Sequence, residues 1–399
     1  MADLALADVT VLDLGTDVPG PFCAKLLADY GAEVIKIEPP ARGDPARRVG
    51  PFPNDLPHPE QSGLFLHLNT NKWGITLDSS TPSGRAVLLR LARQADIVIE
   101  NFSPGTLERW RLGFEDLAAV NPRIILTSIS PFGQTGPYRE YQATEIIAFA
   151  MSTRMYLHGQ PDREPLRYAP DVGWFQTGAT AATATLGALF TSRHHGVGQH
   201  VDVAAVECLV GNVDARTLAY AYTGQPGQRG SQPLGYPNGA YPAQDGFLPF
   251  AAGSDRFFRR LCRVIGHPEL LDDPRWATPA QRQYHQDEFE ALFLPWLLER
   301  TRQEVFAACQ AGGVMMGPIL NVGEVHQDPQ MLARRYFVEI DHPAAGTLTY
   351  PGAPFMMTET PWRLRRPAPL LGQHNEEVYC GRLGYSRQDL LRLRAHGVM

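Results

Sequence analysis

Two carboxylates in the middle of the chain stand where side-chain chemistry is possible. Asp171 occurs in YAPDVGWF, directly before a run of small residues typical of a helix, GATAATATLGAL. A carboxylate withdrawn from water in such a place can act as a nucleophile or a general base. A lone Asp before a helix is equally typical of a capping residue. Glu145 lies in the apolar stretch ATEIIAFAM, where a glutamate either faces solvent or is buried for a functional reason.

Two earlier segments are suited to binding an anion. The turn GTDVPG joins a strand to the start of a helix, where free N–H groups and the helix dipole favour negative charge. It contains only Gly15 and Gly20, so it lacks the dinucleotide-binding fingerprint, and an ordinary turn explains it equally well. The segment RGDPARR carries Arg42, Arg47 and Arg48. These arginines either grip a phosphorylated ligand or belong to a solvated loop with an internal Asp–Arg pair.

Strand and helix patterns alternate through the first third of the chain, and these elements must position the candidate residues. The strand patterns are VTVLDL, AEVIKIE, WGITLD, DIVIENF and RIILTSIS. Their alternation with amphipathic segments predicts βαβ units, a mostly parallel sheet and an α/β fold. Ligands of such sheets bind beyond the carboxyl ends of the strands. The loops GTDVPG, ENFSPG and SPFGQTGPY are therefore predicted to carry the site.

The chain of 399 residues is too long for one average domain. We predict that residues 1–222 form the N-terminal part of a large domain. Residues 223–346 are predicted to contain a linker loop and a small domain, because short helical stretches such as RFFRRLCRVIG dominate there. Residues 347–399 are predicted to return to the large domain.

Composition excludes several classes of function. The net charge is −6, and basic and acidic residues are interspersed, so neither a nucleic acid nor an anionic membrane is an expected partner. The apolar runs are too short to span a membrane, and the N-terminus has an acidic residue where a signal peptide needs a basic one. A cytoplasmic location follows as a prediction. Five scattered cysteines without a CxxC pair predict neither a disulfide framework nor a metal site.

Several long segments together resemble one family. They are VLDLGTDVPGPFCAKLLADYGAEVIKIEPPARGD, LNTNKWGITLD, ADIVIENFSPGTLERWRLGFEDLAAVNPRIILTSISPFGQTGPY, ALFTSRHHGVGQHVDVAAVE, DDPRWATPAQR and AGGVMMGPILNVGEVHQDP. In their order along the chain and in their residues they resemble the class III CoA-transferases of the CaiB/BaiF type. This family includes formyl-CoA and carnitine CoA-transferases and the α-methylacyl-CoA racemases. The resemblance runs from about Val9 to Pro361.

The resemblance implies a Rossmann-like large domain with a parallel sheet, a smaller α+β domain and an interlocked homodimer. It implies coenzyme A, as an acyl-CoA substrate, and a carboxylic acid as the molecules bound, with no metal or redox cofactor. The residues carried over as CoA contacts lie at or after the first four predicted strands. They belong to the turn after the first strand, the second strand and the loop after it, the start of the third strand, and the loop after the fourth strand. They are Val18, Lys36, Arg42, Arg47, Arg48, Lys72, Asn101 and Phe102.

Transferases of this family use an aspartate to attack the thioester, which gives an anhydride and then an enzyme thioester. The family places that aspartate four residues before the glycine that opens the small-residue helix. If this glycine is Gly178, the expected position holds Trp174, and Asp171 lies three residues upstream. Asp171 is the predicted nucleophile, and Glu145 matches an acidic position that orients the acceptor or serves as an alternative carboxylate. The family's glutamine at the first turn is replaced by Val18.

Three functions remain open at this stage. A racemase needs a histidine a few residues after GPY, where this chain has Thr144 before Glu145, so CoA transfer is favoured over racemisation. The shifted aspartate motivates a third function, a CoA-binding subunit that works in a heteromer with an active paralogue. A rearranged loop that brings Asp171 to the thioester would retain the transferase activity in this chain.

Overall fold

The structure is a computed structural model that describes residues 4–211, 216–229 and 235–399. Within these ranges it has two compact units, one of residues 4–229 with 335–399 and one of residues 235–334. The predicted boundary at residue 346 falls inside a hairpin of the first unit, because strands on either side of it pair antiparallel. Part of the predicted linker loop, residues 230–234, lies outside the described residues.

The first unit is built on a parallel sheet of six strands, which confirms the predicted α/β fold. The strand order is β3-β2-β1-β4-β5-β6. The two central strands are almost completely buried, as expected of a parallel sheet covered on both faces. The strands are β1 (Thr10–Asp13), β2 (Glu33–Glu38), β3 (Lys72–Thr76), β4 (Ile97–Glu100), β5 (Ile125–Ser130) and β6 (Gln199–Ala204).

Helices cover both faces of this sheet, since successive side chains of each strand point to opposite faces. Val11 packs with α1 and α8, whereas Leu12 packs with α3 and α5. The helices up to the start of the second unit are α1 (Pro19–Asp29), α2 (Gly63–Leu68), α3 (Pro82–Ala92), α4 (Thr106–Arg109), α5 (Phe114–Val120), α6 (Glu145–Met151), α7 (Arg154–Leu157), α8 (Val172–His195), α9 (Ala205–Gly211) and α10 (Arg216–Thr223). Short 3-10 helices occur at Pro45–Arg48 and Pro53–Asp55.

The small residues of α8 allow this helix to pack closely against α1. A Cβ at Gly178 would lie 2.7 Å from the carbonyl oxygen of Pro19, closer than real Cβ contacts. Ala181 and Ala182, one turn further on, are buried in the same interface. The run GATAATATLGAL therefore fixes where α8 begins relative to the end of β1.

The second unit packs helices around an antiparallel pair, β7 (Asn238–Ala243) and β8 (Gly246–Ala251). Its core includes the fully buried rings of Phe258, Phe289 and Phe293. The helices are α11 (Asp255–Val264), α12 (Pro279–Tyr284), α13 (Gln286–Leu298), α14 (Arg302–Ala311), α15 (Val322–Gln327) and α16 (Pro329–Ala333), with 3-10 helices at Pro268–Asp272 and Pro274–Trp276.

The chain then completes the first unit. The hairpin of β9 (Phe337–His342) and β10 (Gly346–Pro351) packs against α2 through Tyr350 and Phe65. A π-helical segment, Glu377–Arg382, and α17 (Arg387–Ala395) add Val378 and Leu390 to the core beside α3.

Charged side chains form a buried network under the carboxyl ends of β1 and β2. Lys72 donates to Asp13 Oδ2 at 2.8 Å, and to the carbonyl oxygen of Pro21 and Asn69 Oδ1 at 2.8 and 2.9 Å. Lys36 donates to Asp44 Oδ2 at 2.7 Å, and its Nζ lies 3.9 Å from Asp13 Oδ2. Buried charges are costly unless they are paired and hydrogen-bonded, and here they are both.

We predict that Lys72→Met destabilises the protein by about 3–5 kcal/mol, because it leaves Asp13 as a buried carboxylate without its nearest cation. The measurement is the denaturant-induced unfolding of the first unit. Arg48→Met is the control, since Arg48 is exposed and its loss costs little. A loss below about 1 kcal/mol for Lys72→Met would contradict a structural role for this ion pair.

Candidate active site

A pocket of about 310 Å³ opens at the carboxyl edge of the parallel sheet. It lies where β1 and β4 are neighbours but their connections leave in opposite directions, which is the usual ligand site in such sheets. Its described lining residues come from the three predicted loops, the chain before α6 and the first turn of α8. They are Asp17, Pro19, 101–104, 129–131, 139–144 and Trp174.

The turn after β1 is held by side chains from three directions. Asp13 Oδ1 accepts from the N–H of Gly15 at 2.9 Å, and Asp44 Oδ1 accepts from the N–H of Asp17 at 2.9 Å. Asn101 Oδ1 accepts from the N–H of Thr16 at 2.7 Å, and its amide donates back to the Thr16 carbonyl at 3.0 Å. Asn101, predicted as a CoA contact, therefore also fixes the turn that forms one wall of the pocket.

The start of α1 has fewer free N–H donors for an anion than we predicted from the turn GTDVPG. Pro19 and Pro21 have no N–H group, and the N–H of Phe22 already donates to the Val18 carbonyl. The first four positions therefore leave the N–H of Gly20 to a ligand. The Val18 side chain is 2% exposed, so this residue can meet CoA through its backbone rather than its side chain.

Three of the predicted CoA-binding cations point inward, and this corrects their predicted role. Lys36 and Lys72 are fully buried and paired with carboxylates, and Arg47 is 1% exposed. Direct contact with a phosphate would require breaking these buried pairs. Arg42 and Arg48 are exposed, and Arg48 donates to the carbonyl oxygen of Arg42 at 2.6 Å. These two arginines stay predicted phosphate contacts.

The buried guanidinium of Arg47 organises the loop between β2 and β3. Its Nε and Nη2 donate to both carboxylate oxygens of Glu38 at 2.7 and 2.8 Å, and its Nη1 donates to Glu60 at 2.6 Å. The guanidinium carbon lies 3.7 Å from the ring centroid of Phe65. The fork of five donors suits this bidentate pairing, which a lysine cannot reproduce.

Burial and the paired carboxylates act differently on the two network lysines. Burial opposes the charged form of Lys36, but Asp13, Asp44 and Glu38 raise its pKa above the ordinary value. For Lys72 burial prevails over the attraction of Asp13 and lowers the pKa to about 8. Both groups are protonated at neutral pH, so the network keeps its ionic character there.

Both predicted catalytic carboxylates lie near the start of α8, one through its place in the chain and the other through a hydrogen bond. Asp171 precedes the helix with φ 66°, and its side chain makes no capping hydrogen bond, so the capping alternative is wrong. Glu145 Oε1 accepts from the N–H of Gly173 at 3.2 Å, and a Cβ on Gly173 would lie 2.8 Å from that oxygen. Glu145 is 7% exposed. The structure thus brings Glu145 to the helix turn that follows Asp171, with Glu145 buried and Asp171 partly accessible.

The residue four positions before Gly178 contributes to the pocket wall. Trp174 is among the described lining residues, whereas Asp171 is not. Gly178 lies inside α8 and approaches α1 closely, since a Cβ there would lie 2.7 Å from the Pro19 carbonyl oxygen. If Gly178 is the glycine of the family pattern, the position predicted for the aspartate is occupied by the Trp174 indole.

Two pocket residues were missed by the sequence analysis. Asp17 lines the pocket with φ 56°, and its pKa is raised by partial desolvation and by the negative charges of Asp44 and Asp171. Arg139 also lines the pocket, and its Nε is buried with no hydrogen-bond partner among the described residues. The only available signal was position, since both lie in loops that follow predicted strands.

Comparison with known proteins identifies the family. The model of "CoA-transferase family III" matches residues 6–375. The chain belongs to this family. It is 38% identical over 400 residues to a succinyl-CoA–D-citramalate CoA-transferase of Chloroflexus aurantiacus, covering 99% of this chain and 98% of that protein. It is 33% identical over 405 residues to the beta subunit of a succinyl-CoA–L-malate CoA-transferase of the same organism, covering 99% and 98%.

A solved structure agrees in fold. A CaiB/BaiF family protein from Brucella suis superimposes with a TM-score of 0.85 at 31% identity, covering 95% of this chain and all of that one. The protein is thus a class III CoA-transferase enzyme, and coenzyme A is its substrate. Within the described residues, no helix is long and apolar enough to cross a membrane.

In this CoA-transferase, Phe102 is held by a buried acid. Its N–H donates to Glu100 Oε2 at 2.7 Å, and its ring packs edge-on against Trp110. Glu100 is 4% exposed, and burial raises its pKa to about 7 against the opposing hydrogen bonds from Ser128 and Phe102. Ser128 in turn lies 2.9 Å from His200 Nε2. The loop that carries Asn101 and Phe102 is therefore coupled to a carboxyl that ionises near neutral pH.

This raised pKa predicts a pH dependence of stability. A carboxyl whose pKa is higher in the folded state stabilises the fold at low pH, and this contribution is lost as pH rises through about 7. Glu100→Gln should therefore raise the free energy of unfolding at pH 8 by up to about 3 kcal/mol and change it little at pH 5. Thermal unfolding at both pH values is the measurement. The exposed Glu339→Gln is the control, and an equal effect at both pH values would contradict the shift.

Proposed function

We propose that this protein moves coenzyme A from an acyl-CoA donor to a carboxylic acid acceptor through intermediates on an enzyme carboxylate. The observation that carries the proposal is the pocket at the carboxyl edge of the sheet, which Asp17 lines, while carboxylates of two further segments lie outside its lining. Asp17 follows β1, Glu145 starts α6 and Asp171 precedes α8. Named CoA-transferases among the relatives support the same reaction class.

The proposed reaction divides one exchange into covalent steps. A carboxylate oxygen attacks the thioester carbonyl and expels CoA as thiolate, which leaves a mixed anhydride. The thiolate attacks the enzyme's carbonyl of this anhydride, so the first acid departs and an enzyme thioester remains. The acceptor carboxylate repeats these steps in reverse order and leaves with CoA. Each of these covalent steps has a lower activation barrier than a direct transfer of CoA from one carboxylic acid to the other. Asp171 and Glu145 are the carboxylates predicted from the sequence for this role.

We propose a dicarboxylic acid as the second substrate. The two relatives compared above are named for succinyl-CoA, D-citramalate and L-malate, and each of these acids has a carboxyl group besides the one that forms a thioester. Arg139 supplies a matching cation in the pocket, since its Nε has no hydrogen-bond partner among the described residues. Its Nη1 lies 3.5 Å from Oε1 of Glu140, whose side chain is exposed. A guanidinium binds a carboxylate in two parallel hydrogen bonds. The remote carboxylate of the acid would thus be fixed while the other one reacts.

A second candidate function is that of a CoA-binding subunit whose active partner is a paralogue. Trp174 at the expected nucleophile position favours it, and one relative is named as the beta subunit of a transferase. Either function involves an assembly, an interlocked homodimer or a heteromer. An apolar groove of about 460 Å³ beside α1 and α8 supports this, because Leu186 and Phe355 are 40% and 49% exposed there.

The reaction itself is tested with the purified protein, succinyl-CoA and a panel of mono- and dicarboxylic acids. We expect new CoA thioesters of dicarboxylic acids, detected by mass spectrometry, with release of succinate in equal amount. Solvent deuterium at the α-carbon without exchange of CoA would indicate a racemase instead. Turnover that begins only when a paralogue is added would support the subunit function.

Arg139→Gln should raise the KM for a dicarboxylic acceptor by about 10- to 100-fold, because a charge-assisted hydrogen bond contributes roughly 1.5–3 kcal/mol. The KM for a monocarboxylic acceptor should change little. Arg123→Gln is the control, since Arg123 is exposed at the opposite edge of the sheet, before β5. Equal effects on both classes of acid would contradict the proposed contact.

A further inference from the structure

Asp17 lines the pocket, unlike Asp171 and Glu145, the two carboxylates predicted from the sequence. Among the described residues that line the pocket, the carboxylates are Asp17 and Glu140, and Glu140 is 73% exposed and paired with Arg139. Glu145 is nearly buried and accepts a hydrogen bond from Gly173, and Asp171 lies outside the pocket wall. Asp17 therefore combines accessibility with a place in the wall.

The backbone of Asp17 is fixed in a conformation that non-glycine residues rarely adopt. Its φ is 56°, and its N–H donates to Asp44 Oδ1 at 2.9 Å. The preceding residue, Thr16, is held by both polar atoms of Asn101. Such strain persists only where the surroundings impose it, and it is concentrated at functional sites. Asp44 is itself fixed by Lys36, so the buried ionic network holds the carboxylate at this point of the pocket.

The charges around Asp17 suit a nucleophile. Desolvation and the carboxylates of Asp44 and Asp171 raise its pKa, and Lys36 and Arg48 oppose the shift. A carboxylate of raised pKa is more basic, and hence more nucleophilic, than an ordinary one. In this arrangement the negative charge of Asp171 affects the reaction by raising the pKa of Asp17. Trp174 forms an apolar part of the pocket wall at the position where the family is expected to have its aspartate.

We infer that Asp17 is the carboxylate that accepts the acyl group and then coenzyme A. This inference rests on the proposed CoA transfer. An oxygen of Asp17 attacks the thioester carbonyl, the C–S bond breaks and CoA leaves as thiolate. The thiolate then attacks the Asp17 carbonyl, the anhydride C–O bond breaks and the first acid leaves as carboxylate. The acceptor carboxylate attacks the resulting enzyme thioester, and the second thiolate attack restores Asp17 without any proton or electron being gained or lost.

The test traps the enzyme thioester during turnover with borohydride, which reduces an aspartyl thioester to homoserine. Peptide mass spectrometry of the whole chain should find the change at Asp17. Asp17→Asn should lower kcat by about 10³-fold or more with an unchanged unfolding temperature. Asp55→Asn is the matched control, because Asp55 is exposed and has the same φ of 56° in a segment outside the pocket.

Asp171→Asn provides an independent readout. Removing its charge should lower the pKa of Asp17, so the acidic limb of the kcat–pH profile should move to lower pH. Homoserine at Asp171, or 2-amino-5-hydroxypentanoic acid at Glu145, together with an active Asp17→Asn variant, would overturn the inference and leave the proposed transferase function intact. Absence of CoA exchange by the wild-type protein with every acid would instead overturn the proposed function.

Discussion

The ion pairs among Asp13, Lys36, Lys72 and Asp44 connect the sheet to the candidate site. These four side chains are buried and belong to three adjacent strands and the loop after β2. Through Asp13 and Asp44 they accept hydrogen bonds from the N–H groups of Gly15 and Asp17 and so support the turn after β1. The pairs need each other, because a single one of these charges would not be stable in the protein interior.

Because these charges pair with one another, basic residues near the end of a strand need not bind a ligand. Arginines and lysines after a strand suggest phosphate binding, and the sequence analysis assigned Lys36, Arg47 and Lys72 to coenzyme A. In the structure these side chains are enclosed and bind Glu38, Asp13 and Asp44 instead. Their contribution to ligand binding is to position the turn and the loop, whereas the exposed Arg42 and Arg48 are available to a phosphate.

The pocket of this CoA-transferase is lined by Trp174 at the position where the resemblance predicts the family's aspartate. Its lining carboxylates, Asp17 and Glu140, come from the loops after other strands. Parallel strands bring the loops after β1, β4 and β5 to one edge of the sheet. A reacting group can therefore be supplied from a different strand without a change of fold, since several strand ends border the same space.

The sequence alone determined the α/β fold, the family and the three loops that carry the site, because hydrophobic periodicity and turn residues are local properties. It also proposed Asn101 and Phe102, which line the pocket, and Glu145, which follows the lining residue Thr144. Only the tertiary structure decided which cations face inward, and that Asp17 and Arg139 line the pocket. Burial and pairing depend on residues distant in the chain, such as Lys72 and Asp13, 59 positions apart. Periodicity and local spacing cannot reveal such contacts.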